Sequence, residues 1–444
     1  MKKIYSILTI AWVAILMTNC DSTFDIIDKA DGLVSVSINT VNKQKSFNVG
    51  ELYRAELWVQ RGGLSDASGK VKFILVEQLL DSINNEDKTN FELLPKECYE
   101  LTQTEFNVDK NELCGYITYD PEKIHTLAGY DNVKYALPFR LVSDEITINP
   151  ERNVAVLSFV VSEPIVEISN PGTFNIDLSQ TSQMDLSIGV PFTNKWDIVC
   201  NIAKDQSLID KYNTTNKVNF TMLPSDAYTA PEEITLKEGV SQITASYKIK
   251  DDLLPGNYLL PLRIGSIEAT LNGAPTNALV VDQESNTLFR IVKEGQKISK
   301  ADWEIIACNS QAAINPATNL IDDNEETFWH CRMKSEAGWV EPPFFFTIDM
   351  KKEIAIAQID LVNRGQTGSA NNIKWVEFYA SNDNSTWEKI GASDFNDEFV
   401  RKTFRYYVKA TTARYLKLVI PAGFGNACPP AAIRELTVYG QVVK

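Results

Sequence analysis

The chain has 444 residues, 44% of them hydrophobic and 10% aromatic, with a formal net charge of −15. A single compact domain rarely exceeds ~250–300 residues, so two or three are required. The acidic balance argues against a nucleic-acid surface, which would gather Lys and Arg on one face, and no such cluster occurs.

Lys2 and Lys3 precede an apolar run from Ile7 to Met17, which meets Thr18-Asn19-Cys20. A basic start and an apolar core too short to span a membrane read as an export signal over residues 1–19. Cys20 stands where a lipoprotein signal places the residue acylated after cleavage, although Asn19 departs from the usual small residue before it. Residues 20–30 then form a tether, and the protein is expected at the outer membrane or cell surface, held by lipid alone.

Between the tether and residue 296 the chain repeats itself. Phe91-x-x-Leu94-Pro95-x-x-x-Tyr99 returns as Phe220-x-x-Leu223-Pro224-x-x-x-Tyr228, and Tyr135-Ala136-Leu137-Pro138-Phe139-Arg140 returns as Tyr258-Leu259-Leu260-Pro261-Leu262-Arg263. The offsets differ by a loop deletion in the second copy. Gly50 to Trp58 also echoes Gly189 to Trp196. Such spacing predicts two copies of one domain, at 31–163 and 164–296. Val34, Val36 and Ile38 alternate with polar residues, and Val71, Phe73 and Leu75 share a face. The run Val154–Val161 is nearly continuous and suits a central strand buried on both faces. Each copy is therefore expected to be an immunoglobulin-like β-sandwich. Leu-Pro-x-Arg fits an edge strand, where a missing N–H costs least, with the Arg turned to solvent or onto a carboxylate.

Removing Cys20 leaves six cysteines in a disulfide-permissive setting. Cys98 and Cys114 lie close in sequence and predict a disulfide, whereas Cys200 and Cys308 are expected to be free and buried. Only two histidines exist, which leaves little room for a Ser-His-Asp triad or a multi-histidine metal centre. No nucleophile elbow, P-loop or His-Glu-x-x-His is present, so a non-enzyme is expected.

The last third opens on Ala317-Thr318-Asn319-Leu320-Ile321-Asp322-Asp323-Asn324-Glu325-Glu326-Thr327-Phe328-Trp329 and ends on Ile433-Arg434-Glu435-Leu436. An Asp/Asn-rich loop facing a lone strand Glu suits a hard cation, or else is an acidic turn before a core Trp. Between them lie Phe344–Met350, Ile356–Arg364, Val376–Trp387 and Ala413–Ile420.

In this order the blocks over about 300–444 resemble the discoidin domain, also called the coagulation factor 5/8 type C domain and akin to carbohydrate-binding module family 32. The resemblance implies an all-β jelly-roll sandwich at 297–444 and a structural calcium ion held by Asn319, Asp322, Asn324, Thr327 and Glu435. It also implies glycan binding on loops at one end, by His330, Arg332, Trp339, Arg364, Asn371 and Phe424. Trp303, Trp329 and Trp387 are expected in the core, and Cys331 and Cys428 reach one rim, where they could pair. The two repeats resemble the paired domains of surface lipoproteins from glycan-foraging gut bacteria. The function so implied is capture of oligosaccharide for an outer-membrane transporter complex. A surface adhesin binding host protein or lipid, or a glycosidase accessory protein, is the alternative.

Overall fold

The computed structural model describes residues 33–443 except 39, 63–67, 109–112, 232, 277, 366–372, 374, 395–400 and 422–430. The expected signal peptide, tether and Cys20 lie outside the described residues, as do Asn371, Phe424 and Cys428. Among the described residues no helix is long and apolar enough to cross a membrane. Two compact units form: one runs to Ile165 and takes in Thr276–Val280, and the other comprises Val166–Pro275 and Val281–Lys444.

The architecture is all-β, as expected from the sequence. In the first copy one sheet orders Thr147–Ile148, Leu33–Val36, Tyr53–Gly62, Cys114–Tyr119 and Tyr99–Gln103; the other orders Val41–Phe47, Val154–Ser162, Tyr135–Val142, Gly69–Leu75 and Glu105–Val108. The second copy repeats the scheme. Its sheets run Ile165–Ile168, Gln183–Gly189, Gln242–Ile249, Tyr228–Thr229, and Gly172–Ile176, Asn286–Lys293, Gly256–Leu271, Asp197–Lys204, Ile234–Leu236. Sheet position thus matches Tyr53–Gly62 to Gln183–Gly189, so the echo of Trp58 in Trp196 is fortuitous. The loop deletion falls where the first copy carries the helix Pro121–Ala128 and the second passes directly from Ile249 to Gly256.

Val154–Ser162 is buried on both faces. Leu157, Phe159 and Val161 enter the core between the sheets, while Val156 packs with Leu80 of the helix Leu79–Asp87. In the second copy Ile209, on the helix Gln206–Asn216, covers Leu259 and Leu288 in the same way. Neither helix was legible from period-two patterning.

The Leu-Pro-x-Arg strand is central rather than at an edge. Pro138 lies opposite Val156, and its carbonyl accepts from Val76 N–H at 3.0 Å, just past the end of Gly69–Leu75. Amide and carbonyl of one strand residue point the same way. The missing N–H therefore falls where the short parallel strand Glu92–Leu93 stops and Gly69–Leu75 has ended. The following Arg263 is not turned to solvent but stands 3.2 Å from Asp205, whose side chain caps the helix Gln206–Asn216.

Cys98 and Cys114 are separate thiols, which corrects the expected disulfide. Tyr99 pairs with Tyr119 and Cys114 with Trp58, at opposite ends of one strand. Five or six residues at ~3.3 Å put the two sulfurs far beyond disulfide reach. Cys98 is in the core, where burial pushes its thiol up to about 11. Cys200 is buried as expected, whereas Cys308 is only half-buried.

The C-terminal module is built on two long strands, Phe344–Asn363 and Thr403–Ile420. Their register breaks between Asp349 and Ile354, so each strand bends and serves both layers of the sandwich. The first half pairs with Glu304–Cys308 and the second with Ala432–Val442. At the bend Arg414 grips Asp349 with two hydrogen bonds of 2.9 and 2.8 Å and holds that carboxyl well below the usual range. Trp303 and Trp329 are in the core as expected, but Trp387 is half-buried beneath the Lys417 ammonium. The second copy is fastened to this module by Asn257, 1% exposed, whose amide donates to Ala357 O at 3.0 Å.

Candidate functional site

The acidic loop is shaped by its own side chains. Asp322 accepts from the Asn324 N–H at 3.0 Å and from the Thr327 hydroxyl at 2.7 Å. Asn324 accepts from Glu326 N–H, and the Asn319 amide donates to Phe328 O, both at 3.0 Å. Asp323 takes the left-handed turn, φ 58°, which Asp and Asn tolerate.

Glu435 reaches toward this loop from the final strand and is 4% exposed. Its Oε1 accepts from the Lys300 ammonium at 2.5 Å, and Lys300 also donates to Leu436 O at 2.9 Å and stands 3.1 Å from Asp323. Its Oε2 is buried without a hydrogen-bond partner. Burial raises the Glu435 pKa; Lys300 opposes the shift, and the nearby Asp322 charge adds to it. An orphaned carboxylate oxygen beside a second carboxylate fits a hard cation such as calcium. The five expected ligands do not fit it equally. Asp322, Glu435 and the Thr327 oxygen can serve. The Asn324 side-chain oxygen is taken by Glu326 N–H, and Lys300 already supplies one positive charge. Among the described residues no three His, Cys, Asp or Glu groups converge as a metal cluster. Lys300 was missed because its partner lies 135 residues away.

The expected glycan-binding residues divide. His330 is 5% exposed, with Nδ1 2.5 Å from Cys331 O. The Arg332 guanidinium ties down its own loop, donating to Gln311 O at 3.1 Å and Ala337 O at 2.7 Å. Trp339 is half-buried with the Lys334 ammonium 5.5 Å from its ring. Arg364 stacks 4.5 Å over Phe328, and Arg434 approaches the same ring at 5.9 Å. Arg434 is held by Arg364 O at 3.0 Å and Glu325 O at 2.8 Å. Arg401 pairs with Glu326 at 2.7 Å and Glu325 at 3.0 Å. The His330 ring lies 6.5 Å from that of Phe328. The structure therefore brings His330 and Arg364 together on Phe328, whereas Arg332 is a loop brace. Sequence reading overlooked Phe328. Phe328 immediately precedes the two-residue strand Trp329–His330, both of whose side chains are buried, so strand alternation gave no signal for it.

Such a chain is a tandem β-sandwich protein ending in a discoidin-type module with a cationic, aromatic rim. A family model described as an N-terminal domain matches twice, at residues 29–148 and 159–270, together more than half of the chain. The protein belongs to that family, and a second model, the F5/8 type C domain, matches residues 304–435. A galactose oxidase from Gibberella zeae is 32% identical over 149 residues, 33% of this chain and 21% of that protein. The chain thus spans about a fifth of the length of the curated relatives it matches. Among solved structures, the C-terminal domain of a chitobiase from Bacteroides fragilis is 46% identical, covering 34% of this chain and all of that one, at a TM-score of 0.30. A family 32 carbohydrate-binding module from Clostridium perfringens, solved with galactose, is 22% identical over 33% of this chain and 99% of its own, at 0.28.

Proposed function

We propose that this is a non-enzymatic, lipid-anchored surface protein that captures glycans through its C-terminal module. The observation that carries the reading is the Phe328 ring stacked by Arg364 beside His330, on an F5/8 type C domain. A sugar meeting this rim would find guanidinium donors for its hydroxyls and an aromatic edge for its C–H groups. A shallow site of this kind binds on the order of 10–1000 μM, and many anchored copies compensate by avidity. Delivery to an outer-membrane transporter is the role that fits capture at a surface.

The test is a glycan array of the mature protein, followed by calorimetry on the best sugar. Arg364→Ala should weaken binding at least about tenfold, since it removes the Arg364 guanidinium and its stack on Phe328. Binding to no glycan, or an unchanged affinity, would sink the reading, as would new reducing ends released from any glycan. Anchoring at Cys20 is tested separately: Cys20→Ser should release the protein from membranes.

A structural calcium ion belongs to the same proposal, held by Asp322 and Glu435 with Thr327 and loop oxygens. Because Lys300 already balances one Glu435 oxygen, chelation should lower the melting temperature of the second unit without unfolding it. No shift with chelator or added calcium would remove the ion from the proposal.

A further inference from the structure

Copying one sandwich twice leaves an internal control: a residue that the fold needs recurs, and one that it does not need is open to other use. On the central strand Tyr53–Gly62 of the first copy, Ala55, Leu57 and Val59 point into the core. Arg54, Glu56 and Trp58 point outward, and Trp58 is 46% exposed. Its indole N–H donates to Glu56 Oε2 at 2.9 Å. The other Glu56 oxygen is 3.4 Å from Arg54, whose guanidinium lies 3.6 Å over the ring of Tyr116 on the next strand. One hydrogen bond, one ion pair and one stack therefore fix an exposed indole before anything binds.

The matching positions of the second copy carry none of this. Arg54, Glu56 and Trp58 correspond to Gln183, Asp185 and Ser187, and Tyr116, opposite Glu56, corresponds to Ser246, opposite Asp185. There the small side chains satisfy one another: Ser246 and Gln183 donate to Asp185 at 2.7 and 2.8 Å, and Ser187 bonds Thr244 at 2.9 Å. The sandwich forms without aromatic rings on that face, so packing does not explain them.

We propose that Trp58, Tyr116, Arg54 and Glu56 form a second glycan-binding platform, taking neutral pyranosyl residues within a chain. The apolar face of a pyranose stacks on a fixed indole, and the adjoining carboxylate and guanidinium bind its hydroxyls. Neutral sugar is specified because Arg54 and Glu56 cancel each other, leaving no net charge to attract an anionic one. Trp58 is the one large apolar side chain on the outward side of its strand, flanked there by Glu56 and Gln60. A stable protein interface would instead need an apolar centre within ~800 Å² per partner. The described outer face of this sheet is exposed at Arg54 and Trp58, which favours internal residues over chain ends.

The test uses the full chain carrying Arg364→Ala, so that this platform and the C-terminal rim are read apart. Native gels are cast with galactan, xylan, α-mannan or mixed-linkage glucan, with chondroitin sulfate as the anionic control. Retardation is expected in at least one neutral gel. Trp58→Ser, the second copy's own residue, should weaken it about tenfold or more, and Trp58→Phe should retain part of it. An unchanged melting temperature for both variants separates binding from folding. Retardation that survives Trp58→Ser, retardation only in chondroitin sulfate, or none in any neutral gel overturns the platform. In the single variants, loss with Arg364→Ala and not with Trp58→Ser leaves the C-terminal rim standing alone.

Discussion

The two β-sandwich copies share core and topology and differ in what their surfaces do. The first copy presents a fixed aromatic on the outer face of one sheet. The second covers the same positions with small hydroxyl and amide side chains, and uses its other sheet to hold the C-terminal module through Asn257. Counting from the paired tyrosines, Asn257 corresponds to Lys134, a half-buried residue bridged to Glu92 at 3.2 Å. Duplication conserved what the hydrophobic core demands and released what faces outward. That contrast can be broken or sharpened by substitution at matched positions.

The largest effect is expected in the cores. Phe159, opposite Tyr135, and Ile291, opposite Tyr258, occupy matching sites and are both 0% exposed. Phe159→Ala should cost about 3–5 kcal/mol and Ile291→Ala about 2–5 kcal/mol, each in its own unit. Calorimetric scans should show one transition moving while the other stays. If either substitution moves both transitions equally, the units do not unfold separately.

Next comes the fastening. Asn257→Ala leaves the buried Ala357 carbonyl without its donor, a loss of about 1–3 kcal/mol in the second unit. Lys134→Ala at the matching place should leave the urea midpoint almost unmoved, because its ion pair is exposed. Equal effects in urea titrations would mean that Asn257 is not a fastening.

Acid should then separate the units. Asp349 has a folded pKa depressed by Arg414 and by the Lys351 N–H and ammonium. Its contribution is therefore fully present above the unfolded value of ~3.9 and is lost as pH falls through the folded value. Glu435 has the opposite sign: its pKa is raised by burial, so its contribution fades as pH rises through the folded value. Below pH ~4 the second unit should lose stability faster than the first, and Asp349→Asn should flatten that dependence. A first unit that unfolds earlier in acid would contradict this assignment.

The smallest effect is the most pointed. Trp58→Ser installs the residue that the second copy already tolerates, and it should change stability by less than about 0.5 kcal/mol. A larger loss by thermal unfolding would show that the indole supports the sandwich rather than a ligand.

What could be read from the chain alone was set by local pattern and by repetition. Alternating apolar residues announced strands, recurring Leu-Pro and Tyr-x-Leu-Pro blocks announced two copies, and the ordered blocks from Ala317 to Glu435 announced the module. Each signal lies within a few residues or returns at a near-constant offset, so no contact had to be known. What escaped was every feature that depends on register between distant strands. Cys98 and Cys114 are close in sequence yet end at opposite ends of one strand. Pro138 is central because a neighbour stops beside it. Glu435 meets Lys300, and Arg364 and Arg434 converge on Phe328. A shift of one residue in any pairing would send those side chains to the other face. The site was therefore decided by the tertiary fold, although the residue types that compose it were already present in the sequence.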